Sequence, residues 1–166
     1  MNLAEAAALA DEYASRGLER ELAALRQQWD DEIEAAARHA DYRVRGQAYR
    51  ALAQFRFRQK LELLRRGLDD ESPGARGSAL IALEALSRDH PGDVNKYRPL
   101  LHELAARDPN VAVRRLAIVC FRNGTPQPDT IRLLDGIAEN DEDDPEVRKT
   151  ARSVALLLVK RQRTKS

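Results

Sequence analysis

The chain has 166 residues, of which 43% are hydrophobic and 33% charged, and its formal net charge is +1. That length suffices for one buried core, and that balance excludes a disordered tail. The single cysteine, Cys120, excludes an internal disulfide and a cysteine-based zinc site, and it fits a reducing cytoplasm.

Aromatic residues make up only 5%, while Ala, Leu, Arg and Glu dominate, a composition that favours helix over strand. The start, Met1-Asn2-Leu3-Ala4-Glu5, lacks the basic and apolar segments of a signal peptide. The apolar stretch Val154 to Val159 is far too short to span a bilayer. The expectation is a soluble cytoplasmic protein with no membrane partner.

In chain order, residues 2–16 are predicted to form a helix ended by Gly17 at its C-cap. Its apolar side (Leu3, Ala7, Leu9, Ala10) either caps the fold or pairs two chains. Leu18, Leu22, Leu25, Trp29, Ile33 and Ala37 then trace the stripe of a longer helix. Shorter stripes follow at Leu61-Leu64-Leu68, Leu100-Leu101-Leu104 and Ile131-Leu134-Ile137. After each stripe comes a turn signal, such as Asp70-Glu71-Ser72-Pro73, Asp108-Pro109-Asn110 or Asp143-Asp144-Pro145, suited to starting a helix. Longer breaks are expected at residues 89–93 and 123–128, and strand signals are absent.

One phrase recurs four times after these turns. It reads Val44-Arg45-Gly46-Gln47-Ala48, then Ala75-Arg76-Gly77-Ser78-Ala79, Val113-Arg114-Arg115-Leu116-Ala117 and Val147-Arg148-Lys149-Thr150-Ala151. Counted from the arginine, a small residue stands at plus three and apolar residues follow at plus six and plus seven, offsets that share one helical face. The arginines are 31, 38 and 34 residues apart, the length of two helices and two turns.

On these residues the chain resembles the HEAT-like repeat of the phycobilin-lyase type, over roughly residues 30–160. The resemblance implies an all-α, right-handed α-solenoid of about four helical hairpins plus an N-terminal helix. As one domain, 1–166, it would comprise a capping helix at 1–17 and repeats at about 18–57, 58–88, 93–123 and 128–163. It also implies that an aspartate in each turn ties to the arginine opening the second helix. Asp70 stands six residues before Arg76 and Asp108 six before Arg114, while Glu142 and His39 hold that place before Arg148 and Arg45.

Catalytic chemistry finds little support. His39, His90 and His102 have no partner at metal-ligand spacing, and no phosphate loop, nucleophile elbow or kinase signature occurs. The run Asp141-Glu142-Asp143-Asp144 lacks the alternation and glycine of a calcium loop and reads as a helix cap. Cys120 and Trp29 fall on core positions. The expectation is no enzyme, no cofactor and no metal.

Charge is unevenly divided. Taken as 43–58, 73–88, 110–123 and 145–163, the second helices hold 16 basic residues and two acids, Glu84 and Glu146, for a net of +14. In solenoids of the type resembled, these helices line the concave face, which is therefore expected to be basic. With the four phrase arginines assigned to the turns, the candidate partner-binding residues are Tyr49, Arg50, Phe57, Arg88, Arg115, Val119, Arg122, Lys149 and Arg152. The plus-one position changes from Gly46 and Gly77 to Arg115 and Lys149, so its first half would admit close approach and its second half supply charge.

The leading expectation is a non-catalytic scaffold or adaptor holding an acidic protein partner. Two alternatives stay open: nucleic-acid binding through phosphates along the same surface, and an inhibitor or immunity-type partner of an enzyme. A lyase or chaperone for a tetrapyrrole-bearing protein rests on the repeat resemblance alone.

Overall fold

The structure, a computed structural model, describes residues 1–164. Among these it contains ten α-helices, two short 3-10 turns and no strand, as the composition predicts. The helices divide into two compact units, Met1–Leu86 and Ser87–Ser166.

The first unit begins with α1 (Leu3–Ser15), opened by a capping box. Asn2 Oδ1 accepts from the Glu5 amide at 2.8 Å, and Glu5 Oε2 accepts from the Asn2 amide at 3.0 Å. Gly17 ends it with φ +68°, a conformation that favours glycine. Helix α1 packs on α2 (Glu19–Ala37) and α3 (Tyr42–Gln54) through Ala6, Ala7 and Ala10, so its small side covers its own chain. The predicted stripe of α2 is buried at Leu22, Leu25, Trp29, Ile33 and Ala37. A 3-10 turn at Arg58–Lys60 leads into α4 (Leu61–Leu68), and α5 (Pro73–Ser87) follows. Leu52, Phe55, Leu64, Leu68, Leu80 and Leu83 form the innermost layer.

The second unit holds α6 (Pro91–Lys96), α7 (Arg98–Arg107), α8 (Val111–Cys120), α9 (Pro128–Glu139) and α10 (Pro145–Thr164). The break expected at 89–93 is shorter and earlier, at 88–90, because Pro91 stands at the first position of α6. The chain breaks again at Tyr97, the N-cap of α7, where Pro99 in the first turn has no amide hydrogen to continue the ladder of α6. Cys120 is a buried core cysteine outside any disulfide, as its position in the phrase predicts.

This unit also buries a guanidinium. Arg98 is only 7% exposed, and among the described residues no carboxylate pairs with it. Its Nη1 donates to Thr130 Oγ1 at 2.7 Å and its Nη2 to the Thr125 carbonyl at 2.9 Å and to Asn95 Oδ1. The ring of Phe121 lies 6.0 Å away. His102 Nε2 shares the same Thr130 hydroxyl at 2.8 Å and meets Phe121 edge-on.

The phrase arginines do tie the turns together, but in a different register from that expected. Arg45 donates to Asp70 through Nε–Oδ2 and Nη2–Oδ1, both 2.8 Å, and so reaches the turn of the following hairpin. To its own turn it gives only backbone contacts, to the carbonyls of His39 and Ala40 at 2.9 Å. Arg114 likewise takes the Ala105 carbonyl behind it and the Asp143 carboxylate ahead. Arg76 meets Asp70 through the backbone carbonyl at 2.8 Å, because the carboxylate of Asp70 is already engaged by Arg45. In the last hairpin Arg148 bonds Asp141 at 3.1 Å and the Ala138 carbonyl, not Glu142. The acidic run is thus used as structure: Asp141 and Asp143 hold arginines, and Asp144 Oδ1 caps α10 at the amides of Glu146 and Val147.

Candidate functional site

Four of the nine candidate residues converge in the second unit. Arg115, Val119 and Arg122 lie at i, i+4 and i+7 along α8 and its 3-10 extension, and therefore on one face. Opposite them α10 presents Glu146, Lys149, Thr150, Ser153 and Val154. Between the two runs lies an open hollow of about 270 Å³.

The two walls run side by side in the same direction. The Arg114–Asp143 pair joins their N-terminal ends, and Arg161 of α10 donates to the Arg122 carbonyl farther along. Arg115 and Lys149, at the same offset from their phrase arginines, therefore stand at one end of the hollow and Arg122 at the other. Val119 and the buried Val154 form an apolar middle, with the hydroxyls of Thr150 and Ser153 beside it.

The electrostatic character of the hollow follows from what its cations lack. Other exposed arginines pair with acids nearby in sequence, as Arg16 does with Glu12, Arg38 with Glu34 and Arg65 with Asp69. The side chains of Arg115, Arg122 and Lys149 make no ion pair with any described residue. Glu146, at the N-terminal rim, is the one acid among the lining residues.

The remaining five candidates go elsewhere. Tyr49 is 3% exposed and donates its hydroxyl to Asp70 Oδ2 at 3.2 Å, so it belongs to the core and to the turn network. Burial, the Asp70 charge and that hydrogen bond together push its phenol up to about 12. Phe57 is 7% exposed and lies beneath Lys60, whose ammonium stands 5.3 Å from the ring centre. Neither ring is available to a partner, because each fills the space between helices. Arg152 turns towards α9 and donates to the Ala138 carbonyl at 3.1 Å, outside the hollow.

Arg50 lines a separate hollow of about 190 Å³ in the first unit, with Tyr42, Arg43, Gly46, Gly74 and Ser78. Its guanidinium is engaged, since Nη1 donates to Ser78 Oγ at 2.8 Å. Arg88 lines a third hollow, with Asn123, Thr125 and Arg161 among its neighbours. The glycine at plus one also has a different purpose from the one expected. A Cβ on Gly46 would stand 3.0 Å from Ser78 Oγ, so the close approach it permits is that of α5.

Sequence reasoning missed Thr150, Ser153 and Val154. The signal was present for Ser153 alone, which falls four residues after Lys149 and so on its side of α10, whereas Thr150 and Val154, one and five residues on, point about 100° and 140° away. Among the described residues no His, Cys, Asp and Glu side chains cluster as a metal site, and no helix is long and apolar enough to cross a membrane.

A family model of HEAT repeats matches residues 30–96, from the middle of α2 to the end of α6. HEAT repeats are commonly protein-interaction scaffolds. The comparisons with curated proteins and with solved structures gave no match.

Proposed function

We propose that this chain, built on HEAT repeats, is a non-catalytic scaffold or adaptor that holds an acidic segment of a protein partner in the hollow between α8 and α10. The observation that carries this reading is the convergence of Arg115, Arg122 and Lys149 with no ion pair to any described residue. Unpaired cations around a concavity favour an anionic occupant and steer its approach. The apolar middle at Val119 and Val154 supports a protein segment over a bare phosphate chain. The buried thiol of Cys120 suits a reducing compartment, so the cytoplasm is its proposed location.

Fluorescence anisotropy with a labelled Glu-rich peptide and, in parallel, a labelled oligonucleotide tests this reading. Peptide binding that falls at least about tenfold in Arg115→Glu/Arg122→Glu supports it. Unchanged peptide affinity in that variant overturns it. Tighter capture of the oligonucleotide, with a steep loss in salt, favours the nucleic-acid alternative.

A further inference from the structure

The order of groups along the hollow narrows the partner's chemistry. Along α8 it reads cation, apolar, cation, at Arg115, Val119 and Arg122. Seven residues separate the two arginines, which places them about 10 Å apart along the axis. Lys149 doubles the charge at the N-terminal end, and Val154 extends the apolar middle from the opposite wall.

Resting on the reading above, we infer that the hollow recognises an amphipathic acidic helix with carboxylates at i and i+7 and one apolar side chain at i+3 or i+4. An extended segment fits this order poorly. Its residues on one face repeat at about 7 Å, so no two of them match the 10 Å interval, and intermediate side chains alternate away. A helix places residues i, i+4 and i+7 on one face with the required rise, the same arithmetic that sets out Arg115, Val119 and Arg122. Its first carboxylate meets Arg115 and Lys149, its apolar residue rests on Val119, and its second carboxylate meets Arg122. Ser153 supplies a hydroxyl donor to carboxylate oxygens along the α10 wall, while Thr150 Oγ1 already donates to the Glu146 carbonyl at 2.8 Å. This is recognition of a helix by anchors in a groove, with charge at both ends setting the register.

The test uses the full chain and three Ala-based helical peptides of equal length and net charge. The first carries Glu at i and i+7 with Leu at i+4. The second has the same composition with the acids at i and i+5, on faces about 140° apart. The third replaces Leu by Ala. The inference expects the first to bind at least about tenfold more tightly than either of the others. It further expects Arg115→Gln and Arg122→Gln each to erase that preference, and Val119→Asp to erase the Leu dependence. Equal affinity for all three peptides overturns the inference while leaving the acidic-partner reading standing. Binding of none of them overturns both. Circular dichroism of each variant separates lost recognition from lost fold, and loss of preference in an unfolded variant does not count in support.

Discussion

Arg114 holds Asp143 through two parallel hydrogen bonds, Nη1 to Oδ1 at 2.7 Å and Nη2 to Oδ2 at 2.6 Å, across 29 residues of sequence. Both side chains are largely buried, at 15% and 9% exposure. The same guanidinium takes the Ala105 carbonyl at 2.9 Å, so one arginine joins the end of α7, the start of α8 and the turn before α10. Such a bidentate pair fixes geometry as well as contributing energy. It thereby sets the spacing of the two walls that frame the hollow.

Asp143→Asn leaves Arg114 charged and partly buried without its counter-ion. A destabilisation of about 3 kcal/mol is expected, towards the low end for breaking a buried pair. Urea denaturation followed by circular dichroism measures it. Wild-type stability after the substitution would show that the pair contributes nothing to the fold.

The pair also makes stability depend on acid. The hydrogen bonds from Arg114 hold the Asp143 carboxyl below its ordinary 3.8. At Asp70 burial pushes upward, but the bonds from Arg45, the Ser72 amide and Tyr49 outweigh it and the net shift is downward. Both groups contribute stability that is fully present above the unfolded value and is lost as pH falls through the folded one. Unfolding midpoints are therefore expected to fall below about pH 4, and less steeply in Asp143→Asn.

His102 adds a second dependence at milder pH. Burial lowers its folded value below the ordinary 6.5, and the nearby Arg98 charge adds to the effect despite Asp129. The unfolded chain then takes up a proton that the folded one resists, so stability is full above 6.5 and declines as pH falls below it. His102→Gln is expected to flatten the decline between pH 7 and 5 in urea midpoints. A slope unchanged by this substitution would assign the effect to other groups.

Two glycines are expected to respond oppositely to alanine. A Cβ on Gly67 would lie 2.7 Å from the Ala79 Cβ and 3.0 Å from Tyr49 Cε2, so Gly67→Ala should cost about 1–3 kcal/mol through overpacking. Gly136 in α9 has nothing within 4 Å of that position. Gly136→Ala should stabilise by about 0.5–1 kcal/mol, the helix-propensity gain alone. Thermal midpoints of the two variants compare them directly, and movement in the same direction would refute the packing argument.

The hollow's cations are expected to matter for binding and not for folding. Arg115→Glu/Arg122→Glu changes exposed side chains that pair with no described residue. Its unfolding free energy should stay within about 0.5 kcal/mol of wild type per site. A larger loss would mean that these arginines support the structure.

Much of the helical architecture was legible because it depends on local periodicity. The stripe Leu22, Leu25, Trp29, Ile33 and Ala37 predicted the buried face of α2, and Gly17 predicted the end of α1. The site was legible only in part. Arg115, Val119, Arg122 and Lys149 do meet, because matching offsets in successive repeats fall side by side. Tyr49 and Phe57 were misplaced, because an aromatic at the edge of an apolar stripe reads alike whether it faces a groove or a neighbouring helix.

By itself, then, the sequence determined which segments are helical, which faces they bury and where the repeat begins, since each follows from residues within a few turns of one another. Only the tertiary structure decided the pairing of the phrase arginines. A six-residue spacing pointed Arg114 to Asp108, but the geometry sends it forward to Asp143. The physical reason is that the guanidinium of Arg114, like that of Arg45 and unlike that of Arg148, meets backbone carbonyls on its own side. The carboxylate within its reach belongs to the next hairpin, at a distance along the chain that no local spacing encodes.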